Sequence, residues 1–318
     1  MVLLCNLDFG KPRMYAIEAK NLRKSFGSVI AVDDVSITIP EGGIFGFLGP
    51  NGAGKTTAIR MLTGVLIPDA GSVRVLGTDV NTEPLTAKLK MGVIPENGTV
   101  YSDLTAEQNI LITAKFYGMD RASREERAGE ILARLGLTER RKDLVRTFSK
   151  GMRQRISIAC AIVHSPPVLI LDEPTTGLDV YSRRLVIDTV RHLNQKGSTV
   201  LLTTHNIEEA NALCTTISII NKGKIVATGS PEKLKKTFDT SRYVEVSFDQ
   251  PVGRELFTVP GITRAESWGD KWRVYTDNPD HAVKYLASIA ERDHLTIVSI
   301  ATSNPTLEEA FVKLTAGA

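Results

Sequence analysis

The sequence predicts an α/β core carrying a helical insertion, followed by a smaller α+β unit, and three observations carry that reading. Apolar, β-branched runs ending in turn residues alternate with helix-patterned runs through most of the chain. The segment from Thr105 to Leu137 interrupts them, rich in Glu, Lys, Arg, Ala and Leu, with apolar residues at helical intervals. After "GSPEKLKKTFDT" the pattern restarts with short strands around one amphipathic helix. A strand-rich, helical, strand-rich order is what an α/β core with a helical insertion produces.

Taken in order, residues 1–14 read as an N-terminal extension, with Met14 an equally good start. They hold apolar residues but no basic leader and no convincing small-residue cleavage site. "AIEAKNL" and "DVSITI" are strands by composition, "GIFGFLG" is a short apolar strand broken by glycines, and "KTTAIRMLTGVL" has helical spacing. In the insertion, Ile110, Leu111, Ala114 and Phe116, then Ile131, Leu132 and Leu135, mark the apolar faces. "VLILDEP", "STVLLTTH" and "TISIINKGKIVATG" are strands again. Beyond a boundary near residue 239, "RYVEVSF", "KWRVYT" and "TIVSIAT" read as strands and "PDHAVKYLASIAERD" as a helix. "WGDKW" is a hairpin tip, and "PTLEEAFVKLT" a helix opened by proline.

A length of 318 residues favours two domains over one. The formal charge of +3 gives no support to an extended nucleic-acid surface, so no nucleic-acid partner is expected. Cys5, Cys160 and Cys214 are scattered and lack CxxC spacing, which fits a reducing compartment and argues against a disulfide framework or zinc. Cys160 and Cys214 read as small core residues. No run approaches the roughly 18 apolar residues of a membrane span. The chain is expected in the cytoplasm unless another component carries it to a membrane.

The chemistry concentrates in "GPNGAGKT", Gly49 to Thr56, which fits G-x-x-x-x-G-K-[ST] between a strand and a helix. In such a loop Gly49, Pro50, Asn51, Gly52, Ala53 and Gly54 curl so that backbone N–H groups face phosphate oxygens, and the helix adds its positive end. Lys55 brings a point charge to the outer phosphates, and the Thr56 hydroxyl is a hard ligand for Mg²⁺. "VLILDEP" ends a buried strand on two acids: Asp172 placed for Mg²⁺, Glu173 for orienting the attacking water. His205, at the end of "VLLTTH", reads either as a structural residue or as a contact for the γ-phosphate. His164, His192, His281 and His294 read as surface or packing residues.

In combination these residues closely resemble the nucleotide-binding subunits of ABC transporters, over roughly Tyr15 to Leu234. "FSKGM", Phe148 to Met152, stands where that family has LSGGQ, just before the acidic strand and "DEPTTGLD". The resemblance implies a P-loop NTPase cassette over residues 15–238, with an antiparallel β subdomain and a helical subdomain at about 97–165. It also implies a ferredoxin-like α+β accessory domain over 239–318.

Further site residues follow from the resemblance. Two cassettes pack head to tail, so Ser149 and Gly151 face the ATP held by the other subunit's loop. Asp179 contacts the partner, Thr57 touches the α-phosphate, and Phe26 stacks on adenine, unless it is a core phenylalanine. Glu96 stands where most relatives carry glutamine and is read as a Mg²⁺ ligand. Lys150 is expected to add charge near the partner's phosphates. Phe148, Lys150 and Met152 depart from the LSGGQ pattern but match an exporter subgroup resembling daunorubicin-resistance pumps.

The implied function is an ATPase subunit, with ATP and Mg²⁺ as cofactors and a second copy of the cassette as partner. It drives a separate transmembrane permease from the cytoplasmic face, probing it through the groove near Glu96 to Leu104. The cargo would be a drug, a lipid or something similar. The alternative class is an ABC-type ATPase acting in DNA repair, translation or cluster assembly. A single cassette, with no heptad run between loop and signature, disfavours that alternative.

Overall fold

The computed structural model describes residues 15–96, 98, 100–237, 242–303 and 306–316. The expected N-terminal extension and the expected boundary near residue 239 lie outside the described residues. Two compact units divide between Pro231 and Glu232.

The first unit opens with a long hairpin of β1 (Tyr15–Phe26) and β2 (Val29–Pro40), whose inward positions feed a core containing Ile17, Leu22, Val35 and Ile39. The chain then leaves for a second sheet through β3 (Ile44–Leu48) and turns into helix α1 (Lys55–Leu62). It returns to the first sheet with β4 (Ala70–Val75) and β5 (Thr78–Asp79), giving the order β2-β1-β4-β5. The strand β4, "AGSVRV", is too short and glycine-broken to show a period in sequence.

After α2 (Pro84–Leu89) and β6 (Met91–Ile94) comes the helical segment: α3 (Ala106–Phe116), α4 (Arg121–Arg134) and α5 (Lys150–Ile162). Each begins on a side-chain cap. Thr105 and Gln108 form a reciprocal capping box on α3, Asp120 accepts from Ser123 N–H on α4, and Ser149 accepts from Met152 N–H on α5. Ile110, Ala114, Ile131, Leu132 and Leu135 are buried as their spacing predicts, but Phe116 is 71% exposed. Phe116 lies two residues beyond Ala114, about 200° around the helix, and so falls on the face opposite the one that Ile110 and Ala114 bury.

The chain re-enters the second sheet through β7 (Val168–Asp172), α6 (Val180–Gln195), β8 (Thr199–Thr204), α7 (Ile207–Leu213), β9 (Thr216–Asn221) and β10 (Lys224–Gly229). The order is β10-β9-β3-β8-β7-β6. Strands β3, β7 and β8 are buried at every position, as parallel strands covered on both faces must be. Register sets Leu48 beside Thr204 and Asp172 beside Thr203. The C-terminal ends of β3, β8 and β7 therefore stand level, and the residues after each share one crevice. Open α/β sheets bind their ligands there.

Cys214 is buried and Cys160 half-buried, and burial pushes their thiols up to about 12 and about 11. Both stay protonated and unreactive.

The second unit begins within α8 (Pro231–Thr237). It contains β11 (Tyr243–Phe248), β12 (Arg264–Trp268), β13 (Lys271–Tyr275), α9 (Pro279–Arg292), β14 (Ile297–Ser303) and α10 (Leu307–Ala316). Every pairing is antiparallel, in the order β12-β13-β11-β14. Trp268 pairs with Lys271 across the Gly269–Asp270 turn, where Gly269 has φ +64, so "WGDKW" is the tip of a two-residue hairpin. Leu286 and Ala282 of α9 pack on Val244, Val246 and Val274.

Candidate active site

The loop after β3 is held by two glycines that no other residue could replace without a clash. A Cβ on Gly49 would lie 2.5 Å from the carbonyl oxygen of Ile220 in β9. Gly54 has φ +103, and a Cβ there would lie 2.3 Å from the carbonyl oxygen of Ala31 in β2. The loop is also stitched to the β9–β10 turn, with Gly223 N–H donating to the Ala53 carbonyl. Helix α1 starts immediately after, at Lys55.

Lys55 is 6% exposed, and its ammonium satisfies itself on the chain. It donates to the carbonyls of Gly49 at 2.8 Å and Pro50 at 3.2 Å, and stands 3.4 Å from Glu173 Oε1. A cavity of about 480 Å³ opens beside it. Asn51, Gly52, Gly54, Thr56, Thr57, Glu96, Glu173 and His205 line it with Lys55. Gly49, Pro50 and Ala53 shape the loop from behind and do not line the cavity.

The acidic pair is organised by a residue the sequence reading did not single out. Thr203, fully buried in β8, donates its hydroxyl to Asp172 Oδ1 at 2.6 Å and accepts the Glu173 N–H at 2.8 Å. One hydroxyl thus ties both acids to the neighbouring strand. Glu173 has φ +51, a left-handed backbone that costs a non-glycine residue about 1–3 kcal/mol. Its carboxylate is 8% exposed. Oε2 accepts from Thr176 Oγ1 at 2.8 Å and meets His205 Nδ1 at 2.8 Å. A carboxylate only accepts, so the proton between them belongs to Nδ1. Of the two readings of His205, the geometry brings it into the site through Glu173.

Thr56, Glu96 and Asp172 border a second, adjoining cavity of about 380 Å³. The donors are hard oxygens, as Mg²⁺ requires, and too few to enclose an ion without help from phosphate. No group of three or more His, Cys, Asp or Glu that could hold a metal occurs among the described residues. The set fits a Mg²⁺ shared with a nucleotide rather than a resident metal.

The signature residues lie apart from this cavity, and each has a role within its own chain. Ser149 caps α5. Gly151 is buried, and a Cβ there would come within 2.3 Å of Ser182 Oγ on α6. Asp179 caps α6, accepting from Ser182 N–H at 2.8 Å and Ser182 Oγ at 2.9 Å, bonds that hold its carboxyl below the usual range. Phe148 is buried beneath the Arg140 guanidinium. Lys150 lies against Gly177, where an added Cβ would be 2.4 Å from its Nζ.

Phe26 is 52% exposed at the β1–β2 tip, opposite Val29, which excludes the core alternative for it. Val29, Ile30 and Ala31 line the cavity instead, together with Thr176, Lys222 and Gly223. Apart from Thr176, which lies in "DEPTTGLD", none of these carried a local signal. Strand order brings the β9–β10 turn beside the loop, and the packing of the first sheet against the second brings the β2 start, where Asp33 N–H donates to the Gly223 carbonyl.

Residues 32–176 match the family model for ABC transporter domains. The chain is 35% identical over 305 residues to the linearmycin resistance ATP-binding protein LnrL of Bacillus subtilis (strain 168), covering 94% of this chain and 98% of that protein. It is 38% identical over 305 residues to the daunorubicin/doxorubicin resistance ATP-binding protein DrrA of Streptomyces peucetius, covering 94% and 92%. Among solved structures, an ATP-binding subunit of an ABC transporter aligns with TM-score 0.66 and 30% identity, over 70% of this chain and 93% of that one. The cassette MJ0796, solved as a dimer in a post-hydrolysis state with ADP and Pi, aligns with TM-score 0.63 and 25% identity, over 67% and 98%.

Proposed function

The chain belongs to the ATP-binding subunits of ABC transporters, a family that hydrolyses ATP to drive transport, and from that premise we propose how this member works. It is the ATPase of an exporter, bound on the cytoplasmic side of a membrane to a separate permease. Two copies pair head to tail around ATP. Relatives named for linearmycin and daunorubicin resistance support a drug-like cargo. No helix among the described residues is long and apolar enough to cross a membrane. The permease would dock at the segment from Glu96 to Leu104, where Tyr101 is 53% exposed; residues 97 and 99 lie outside the described set.

One observation carries the reading: Lys55 and His205 each engage the Glu173 carboxylate, one on either oxygen, at the mouth of the phosphate loop. A triphosphate entering the cavity competes for the Lys55 ammonium, and its charge draws Lys55 off Glu173 and the loop carbonyls. Glu173 keeps its orientation through Thr176 and His205, and its freed oxygen is the base for water. His205 Nε2, exposed beside the cavity, is the atom that meets the γ-phosphate, and it donates there only as the imidazolium. Asn51 to Thr57 bind the phosphates through backbone N–H groups and the N-terminus of α1. Phe26 stacks on the adenine at the hairpin tip.

Thr56, Asp172 and Glu96 would hold Mg²⁺, which when bound neutralises charge on the outer phosphates. Ser149, Gly151 and Asp179 lie away from this cavity and serve the partner's nucleotide. The local caps preorganise them, since Ser149 and Asp179 start α5 and α6 while Gly151 lets those helices approach. We read the second unit as ferredoxin-like. Its strand order and α9 support that, with a short 3₁₀ turn at Arg254–Phe257 in the place of the first helix.

Single-turnover hydrolysis with Glu173→Gln tests the chemistry. The expected result is a loss of about 10²–10⁴-fold with ATP still bound. Turnover at the wild-type rate would refute the assignment.

A further inference from the structure

Helix α7 carries a buried acid that does not line the nucleotide cavity. Glu209 is 6% exposed, and its Oε2 accepts from two hydroxyls, Thr175 Oγ1 at 2.9 Å and Thr204 Oγ1 at 3.0 Å. Both threonines are buried, and Glu209 Oε1 has no hydrogen-bond partner among the described residues. A carboxylate shut away from water with one oxygen unmet costs stability. Such a cost persists where the group has a further task.

Capping its own helix is not that task. Asn206 caps α7 by accepting from Glu209 N–H at 3.1 Å, which puts Glu209 where a capping box would reach back to the Asn206 N–H. Thr204 Oγ1 takes that N–H instead, at 2.9 Å, and the carboxylate turns to the threonines. Thr175 immediately precedes Thr176, which donates to Glu173 Oε2. Thr204 immediately precedes His205, which meets the same oxygen. The direct contact between Glu173 and His205 is therefore backed by a second route, through Thr175, Glu209 and Thr204. Successive strand residues point to opposite faces, so the end of β8 is held on both: Thr203 to Asp172, Thr204 to α7.

We propose that Glu209 is a positioning residue for hydrolysis, tying the loop after β7 to the end of β8 and so setting His205 against Glu173. This role presupposes the nucleotide-site reading given for Glu173 and His205, and Glu209 acts only through them.

Steady-state kinetics on the full-length, paired subunit test it. Glu209→Ala should lower kcat about tenfold while KM for ATP shifts less than about twofold, because the cavity lining is untouched. Glu209→Gln, whose amide oxygen still accepts both hydroxyls, should keep kcat within about threefold of wild type. A double-mutant cycle with His205→Ala separates positioning from general loosening. A group that acts through His205 has little left to act on there, so Glu209→Ala should cost less than about twofold more in that background. Loosening of the fold would lower both backgrounds equally. Should Glu209→Ala not fold, Thr204→Val removes one arm of the bridge and enters the same cycle with the same expectation.

Wild-type turnover in Glu209→Ala, a change confined to KM, equal losses in both backgrounds, or a Glu209→Gln chain as impaired as Glu209→Ala would overturn the proposal. Glu173→Gln distinguishes the two levels of failure. If it is impaired while Glu209→Ala is not, only the positioning role falls. If it turns over as the wild type, the site reading falls and takes the positioning role with it.

Discussion

His205 Nδ1 lies 2.8 Å from Glu173 Oε2, on a carboxylate that Lys55 approaches from its other oxygen at 3.4 Å. The acid is clamped between a fixed orienting group and a cation that the substrate can remove. His205→Ala removes the orienting group alone. Hydrolysis should fall about 10²-fold, the size of effect seen when one preorganised donor is deleted, while KM for ATP moves little. Steady-state kinetics on the paired subunit check the split; a change confined to KM would contradict it.

Lys55→Ala should act on binding. A charge-assisted contact is worth about 1.5–3 kcal/mol, so the Kd for ATP should rise about 10- to 100-fold. Titration with a fluorescent ATP analogue measures it.

Thr203→Val keeps the shape of the strand and deletes the hydroxyl shared by Asp172 and Glu173. An unsatisfied buried group costs about 1–3 kcal/mol, so the variant should lose that much in urea unfolding. It should also lose turnover, because Glu173 is no longer held in its left-handed conformation. An unchanged unfolding midpoint would contradict the role given to Thr203.

Gly151→Ala places a methyl group within 2.3 Å of Ser182 Oγ. Overpacking of this kind costs about 1–3 kcal/mol. Adding Ser182→Gly opens the space and should recover most of the steric loss, giving a coupling energy in a double-mutant cycle. No coupling would mean that the two helices separate freely.

His164 links pH to stability. Its ring stacks on Tyr117 with centroids 3.4 Å apart, and burial pushes its pKa down from 6.5 to about 4. The folded state therefore holds fewer protons than the unfolded state between those values, and stability falls with acid across that window. The slope is at most about 1.4 kcal/mol per pH unit, and lower for a ring that is only partly shielded. Unfolding curves at pH 7 and pH 4.5 should differ for the wild type. The difference should shrink in His164→Phe, which keeps the stack and removes the charge.

Local features were the legible ones. The phosphate loop, the Asp172–Glu173 pair and His205 each end an apolar run, so sequence alone marks them. Thr203 sits inside such a run, "STVLLTTH", where a β-branched residue looks like any other strand position; its role comes from register with β7. Gly151 and Ser182 meet only because α5 and α6 pack, and spacing along the chain does not reveal that. The short strands "MGVI" and "RAESW" carry too few residues for a period and are defined by the strands they join.

Ser149 caps its own helix, and Gly151 yields room to Ser182. A descendant that lost its catalytic glutamate would still gain stability from both residues. The serine–glycine pair therefore outlives activity and makes a poor criterion for sorting live enzymes from relics. The acid after β7, held in a costly backbone conformation that folding alone does not reward, is the better one.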